Sequence, residues 1–320
     1  MTKPAPWSWA TLKKKATLST FAHVSLVVSL GLTLLGTSTI VILRGKTVEN
    51  IHIQNPAYLQ SKSRIERAPF VSEELVYAAQ SKSTWADGVP TILEPFHPKP
   101  GFHPYVIVCL VEKCGSSYFK HILNTTYQLS PAPGAPKGDI HTLVNPNKMF
   151  TTQELKYVMG QSDVPRVIVV RNPYTRLLSA YISKYSFNFK HQPLPQNRTY
   201  KVTFERMVRH MYTQFTEQGI SYLATLDPHF RPLYLEHCGI NIGYNFDHIL
   251  KLEEFDDWFV EFAMIFQLKT HSISSLIEKA NVPPRSDAAA RNYYTPELRR
   301  YVAEMFRKDF DLLGYSIEAD

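Results

Sequence analysis

Two short segments hold the residues best suited to handling an anion. In the first, Lys113, Cys114, Gly115, Ser116 and Ser117 stand between the apolar run Val106-Ile-Val-Cys-Leu-Val111 and the periodic stretch Tyr118-Phe-Lys-His-Ile-Leu123. A strand, a short turn and a helix aim the first backbone amides of the helix at one spot, and the helix dipole favours negative charge there. Lys113 adds a mobile positive charge, and the two serines add hydroxyl donors and a helix cap. In the second, the run Arg166-Val-Ile-Val-Val170 ends in Arg171-Asn172-Pro173 and is followed by Tyr174-Thr-Arg-Leu-Leu-Ser-Ala-Tyr-Ile-Ser-Lys-Tyr185. Asn172 suits an N-cap and Pro173 the first helical position. Leu177, Leu178, Tyr181 and Tyr185 make the apolar face, while Arg176, Ser179 and Ser183 share another at helical spacing. Arg171 at the strand end and Ser179 two turns into the helix can reach one phosphate, and a guanidinium beside a hydroxyl suits that task.

Taken singly, each loop is also what an ordinary strand-to-helix turn looks like. Two such units in one chain favour two anion sites. The phosphate-loop pattern G-x-x-x-x-G-K-[ST] is absent, since there is one glycine and the lysine precedes it. A clear magnesium-holding acid after a strand is also missing, which argues against a nucleotide-dependent kinase.

The elements that must position these loops alternate. Strands are predicted at 104–111, 166–171 and 246–252, with a strand or turn near 139–144. Helices are predicted at 116–129, 151–160, 173–186, 203–218, 255–268, 272–280 and 296–308. This is an α/β pattern: a parallel sheet with helices on both faces, binding its ligand at the carboxyl ends of the strands.

The chain has 320 residues and a net charge of +7. Six of those positive charges are Lys3, Lys13, Lys14, Lys15, Arg44 and Lys46, in a stretch with no acid. The remainder is nearly neutral, which argues against a general nucleic-acid surface. Residues 21–43 contain no charged residue. As a helix they span roughly 34 Å, enough for a bilayer core. The lysines before the span predict a single-pass type II anchor with residues 1–20 in the cytoplasm. Residues 44–100, rich in proline, read as a stem that holds the domain 101–320 off the membrane, with a short helix capped by Ser72. Asn124 and Asn197 begin Asn-x-Thr sequons available for glycosylation in a lumen. Of three cysteines, Cys109 reads as a core residue of its strand, and at most one bridge is possible.

The two loops closely resemble the donor-binding motifs of Golgi carbohydrate sulfotransferases, which use 3′-phosphoadenosine 5′-phosphosulfate (PAPS). VEKCGSSYFKHIL is similar to the family's 5′-phosphosulfate loop, and VVRNPYTRLLSAYISKY to its 3′-phosphate motif. DPHFRPLYLEHCGI, FDHILKLEEF and the ending YTPELRRYVAEMFRKDFDLLGYS resemble the chondroitin/dermatan and HNK-1 type branch, related to heparan 2-O-sulfotransferases. The resemblance covers about residues 104–317. It implies a P-loop-NTPase-like sulfotransferase fold on a Golgi membrane, moving a sulfuryl group from PAPS to a glycan hydroxyl without a metal. It implies that Lys113 neutralises the leaving oxygen. The amides of Cys114, Gly115, Ser116, Ser117 and Tyr118, with the Ser117 hydroxyl, would hold the 5′-phosphate. Arg171 and Ser179 would hold the 3′-phosphate. His141 is the first choice of general base and His229 the alternative. Arg176, Lys184, Lys251 and Glu253 are candidate substrate contacts. Departures are Glu112 for proline, Ser116-Ser117 for Cys-Thr, Phe119 for tryptophan, and Cys238 alone where the branch has Cys-x-x-Cys.

Overall fold

The structure, a computed structural model, describes residues 39–44, 47–52, 71–94, 102–136, 139–186, 193, 202–235, 237–268 and 290–318. The chain divides into Met1–Ala57 and Tyr58–Asp320. In the first unit, β1 (Thr39–Arg44) pairs antiparallel with β2 (Thr47–His52), with Arg44 opposite Thr47. Residues 39–43 end the apolar run expected to be a membrane helix, and they are extended instead. The β-branched series Thr39-Ile40-Val41-Ile42 favours that state. Residues 21–38 lie outside the described residues. Among the described residues no helix is long and apolar enough to cross a membrane.

The second unit is built on a four-stranded sheet in the order β3 (Thr91–Leu93), β4 (Val106–Leu110), β5 (Arg166–Val170) and β6 (His248–Lys251). β3 runs antiparallel to β4, and β4, β5 and β6 are parallel. Every residue of β4 and β5 is buried, as expected of strands covered on both faces. Alternation then sorts their side chains. Val108, Leu110, Val167 and Val169 face α2 (Ser116–Tyr127) and α7 (Phe255–Ile265), packing with Phe119, Ile122, Phe259 and Phe262. Ile107 faces the other way, onto α1 (Glu73–Ser81) and α3 (Thr152–Gly160) through Leu75, Val76, Leu155 and Met159. A second core joins α4 (Pro173–Ser186), α5 (Phe204–Gln218) and α8 (Pro296–Met305) around Leu177, Met207, Met211 and Val302. Short helix α6 (Ile220–Thr225) and α9 (Arg307–Leu313) complete it. The predicted helix at 272–280 lies outside the described residues, and residues 140–142 form a 3-10 turn rather than a strand.

The expected boundary at residue 101 is too late. Leu75, Val76, Ala79, Trp85, Ile92 and Leu93 are all buried in the cores of this unit. Proline density misled here, because β3 is a three-residue edge strand directly after Pro90. One buried side chain holds the segment in place. Asn147 donates to the carbonyls of Ala79 (2.9 Å) and Pro90 (3.0 Å), and its oxygen accepts from the amide of Ile92 (2.9 Å). Asn147→Leu strands these buried groups at about 1–3 kcal/mol each, so a clear drop in denaturant midpoint is expected. An unchanged midpoint would show that the segment 79–92 is not integral to the domain.

The pairing of cysteines is also settled differently. Cys109 and Cys238 form a disulfide, with Cα atoms 6.1 Å apart, and Cys114 is a buried free thiol. Cys109 is a core residue and a partner at once, since a bridge is itself apolar and packs like one.

Candidate active site

A cavity of about 1060 Å³ opens at the carboxyl ends of β4 and β5. Both anion loops line it, through Lys113 and Gly115 to Tyr118 on one side and Arg171, Ser179, Ser183 and Lys184 on the other. His141 and His229 also line it.

The first loop is shaped by two left-handed residues, Lys113 (φ 66°) and Gly115 (φ 81°). A Cβ at Gly115 would stand 3.2 Å from the Phe119 ring, so the turn needs glycine twice over. Gly115 is the N-cap of α2 and no side chain caps that terminus. Ser116 and Ser117 are therefore first-turn residues and not caps. The amides of Cys114 and Tyr118, both expected as donors to a ligand, are spent on the carbonyls of Val111 (3.1 Å) and Gly115 (2.9 Å), which leaves those of Gly115, Ser116 and Ser117 for the cavity. The Ser116 hydroxyl is spent as well, donated to Asp87 Oδ2 at 2.8 Å. Ser117 is exposed and lines the cavity. The Cys114 thiol is buried and pushed up to about 12 by that burial, so it offers nothing to a ligand.

Lys113 is the cation that this loop presents to the cavity. Burial, then the charges of Lys184, Arg171 and Arg176, pull its ammonium down to about 8. A cation crowded by cations gains most from an arriving anion.

Glu112 beside it is explained by the fold. Its carboxylate meets His237 Nε2 at 2.9 Å, and both groups are buried. A carboxylate only accepts, so Nε2 holds the proton. Burial alone would raise Glu112. The His237 hydrogen bond and charge, a bond to its own backbone and the charge of Arg176 outweigh it and hold the carboxyl at about 2. The acid next to the first loop thus has its hydrogen-bond partner inside the protein.

In the second loop, Asn172 caps α4 by accepting from the Tyr174 amide at 2.9 Å. Arg171 is buried, donates Nε to Thr175 Oγ1 (3.1 Å) and Nη1 to the Lys113 carbonyl (3.2 Å), and so ties the two loops together. Ser179 and Ser183 line the cavity, but Arg176 on the same helix does not. Its guanidinium is buried and bound to the carbonyls of Glu112 (3.0 Å), Arg231 (2.7 Å) and Pro228 (2.9 Å). It is a structural brace, not a substrate contact.

Lys251 and Glu253 likewise do not line the cavity. Lys251 donates to the Gly314 carbonyl at 2.8 Å and lies over the Tyr315 ring. Glu253 accepts from the Asn172 amide at 2.8 Å. Lys184 does line the cavity, with its ammonium lowered by burial against the raising charges of Asp227 and Glu112. Asn124 sits half-buried inside α2, while Asn197 lies outside the described residues. Among the described residues no cluster of His, Cys, Asp or Glu could hold a metal ion.

The two histidines differ. His141 is exposed on the 3-10 turn Ile140–Thr142, where Asp139 accepts from its backbone amide. His229 has Nδ1 at 2.6 Å from Asp227 Oδ1. That places the proton on Nδ1 and the basic lone pair on Nε2. Burial alone would raise Asp227, but the His229 bonds and the charges of His229 and Lys184 hold it below the usual carboxylate range.

Sequence reasoning missed the third wall. Trp85 and Asp87 line the cavity from the segment read as stem. Asp87 Oδ1 lies 2.7 Å from Lys120 Nζ, which also donates to the Trp85 carbonyl at 2.8 Å. Gly88, at φ 78°, is stitched between Leu110 and Cys238 by two backbone bonds of 2.7 Å. The one available signal was Asp87-Gly88 followed by the apolar run Thr91-Ile-Leu93.

A family model described as the sulfotransferase family matches residues 103–316. No curated protein and no solved structure matches the chain.

Proposed function

Because the chain belongs to the sulfotransferase family, we propose that it moves a sulfuryl group from PAPS to a hydroxyl of a glycan, with a glycosaminoglycan-like acceptor. The observation that carries this reading is the single cavity shared by an uncapped helix terminus, Lys113, Arg171, Ser179 and two histidines. When bound, PAPS supplies the sulfuryl group and a bisphosphate leaving group. The donors present fit such a molecule: two anion sites bridged by the Arg171–Lys113 bond, in a cavity of ligand size. Gly115, Ser116 and Ser117 hold the 5′ end through backbone amides and the Ser117 hydroxyl. Arg171 and Ser179 hold the 3′-phosphate. Lys113 places its positive charge where negative charge develops on the leaving oxygen. His229 accepts the proton of the acceptor hydroxyl at Nε2, with Asp227 fixing the ring and stabilising the imidazolium.

The assignment of the base departs from the expectation that favoured His141. The dyad with Asp227 supports His229, whereas His141 has an exposed ring at the cavity edge. His229→Ala is expected to lower turnover about 10²–10⁴-fold, and His141→Ala to act mainly on acceptor KM. The reverse pattern would reinstate His141.

The lumenal, type II Golgi placement rests on the part of the uncharged run that lies outside the described residues, 21–38, which as a helix would span roughly 27 Å, and on the lysines before it, and the disulfide fits an oxidising lumen. Incubating the protein with labelled PAPS and a panel of glycans tests the activity. Transfer to none of them, with no binding of adenosine 3′,5′-bisphosphate, would overturn it.

A further inference from the structure

Glu253 poses a question of its own. It is a carboxylate beside a cluster built to hold anions, yet it does not line the cavity. Its Oε1 accepts from the Asn172 amide at 2.8 Å and lies 3.3 Å from Thr175 Oγ1. Thr175 Oγ1 in turn accepts from Arg171 Nε at 3.1 Å. Its Oε2 accepts from the Tyr315 hydroxyl at 2.9 Å. Burial and the charge of Glu253 push the Tyr315 hydroxyl well above its usual range, so it remains a donor. Lys251 pins the neighbouring Gly314 carbonyl at 2.8 Å. The result is a continuous chain from the end of α9, through the turn after β6, to the guanidinium at the end of β5.

We propose that Glu253, acting through Thr175, is a positioning residue that orients Arg171 toward the 3′-phosphate, with Tyr315 holding Glu253 in place. The inference rests on the PAPS reading above. The physical reason is the geometry of arginine. A guanidinium binds phosphate through a planar fork, so its roll about the side chain decides whether two donors or one reach the ligand. Fixing Nε sets that roll. Thr175 has one proton and two acceptors in reach, the Asn172 carbonyl at 3.2 Å and the Glu253 carboxylate at 3.3 Å; in this relay the charged acceptor draws it, which turns the Thr175 lone pairs toward Arg171. The carboxylate charge that would otherwise repel a phosphate is taken up by the Asn172 N–H and the Tyr315 O–H.

The test compares two ligands that differ by one phosphate, adenosine 3′,5′-bisphosphate and adenosine 5′-monophosphate, by calorimetry on the full chain. The wild type should prefer the bisphosphate by roughly tenfold or more, the value of one charge-assisted contact. Glu253→Gln and Thr175→Val should each lose about tenfold in bisphosphate affinity and leave the monophosphate within twofold. The double variant should be no worse than either single one, since both cut the same chain. Tyr315→Phe should lose about threefold, and Thr175→Ser, which keeps the hydroxyl, should match the wild type. Equal losses for both ligands, or an unchanged preference in the variants, would overturn the relay while leaving the donor reading intact. A wild type with no preference for the bisphosphate would remove the donor reading, and the relay with it.

Discussion

Lys113→Ala is expected to lower turnover about 10²–10³-fold, while affinity for adenosine 3′,5′-bisphosphate changes only a few-fold. The asymmetry follows from the site. On the proposed reading, Arg171, Ser179 and the amides of the first loop supply ground-state binding, and none of them depends on the Lys113 side chain. Its ammonium makes no hydrogen bond or ion pair among the described residues, and the left-handed backbone at Lys113 holds it at the mouth of the loop. Its cation is most useful as negative charge develops on the leaving oxygen, so its loss falls on kcat rather than on binding. Single-turnover rates and product affinity, measured side by side, check this. A proportional loss of both would make Lys113 a binding residue only.

The same side chain sets a pH dependence. Burial and three neighbouring cations lower it to about 8 from an ordinary 10.5. The active form is the cation, present below the folded value and lost as pH rises through it. The kcat/KM for the donor should therefore fall above about pH 8. Lys113→Arg, which stays protonated, should move the alkaline limb upward even if it is a poorer catalyst.

What could be read from the sequence was the part carried by local pattern. β4 and β5 are unbroken apolar runs, and each hands over directly to a polar turn and a periodic helix, so both strand-to-helix loops that line the cavity were visible. Two of the expected caps were legible as well, since Ser72 and Asn172 each accept from a backbone amide three and two residues on, whereas the cap expected from Ser116 and Ser117 is Gly115 with no side-chain bond. What escaped were features made by pairing across distance. Glu112 is paired with His237, 125 residues away. The third wall of the cavity comes from residues 84–87, where proline density suggested a spacer. Helical spacing placed Arg176 with Ser179 and Ser183, but spacing gives only the direction of a Cβ. A long arginine can turn from there into the protein, and the carbonyls it finds lie 52 to 64 residues away.

That arginine carries the largest stability effect expected in this domain. Arg176 is 1% exposed and its three bonds join the end of β4 at Glu112 to the segment 228–231 that bears His229. Arg176→Ala removes the charge that helps hold Glu112 ionised and leaves three carbonyls without their donor. Losing one partner from a buried charged network costs about 3–5 kcal/mol. At about 2–4 °C per kcal/mol for a domain of this size, melting should fall by roughly 10 °C. Lysine carries the charge but not the planar fork, so it cannot satisfy three divergent carbonyls, and Arg176→Lys should recover only part of the loss. Activity should fall with the folded fraction, and the pH profile of the surviving enzyme should change because Glu112 and His229 lose their common brace. A substrate contact would behave otherwise: acceptor KM would rise while the melting temperature stayed put. Thermal unfolding of the wild type and both variants, set beside acceptor KM at a temperature where all are folded, separates the two roles.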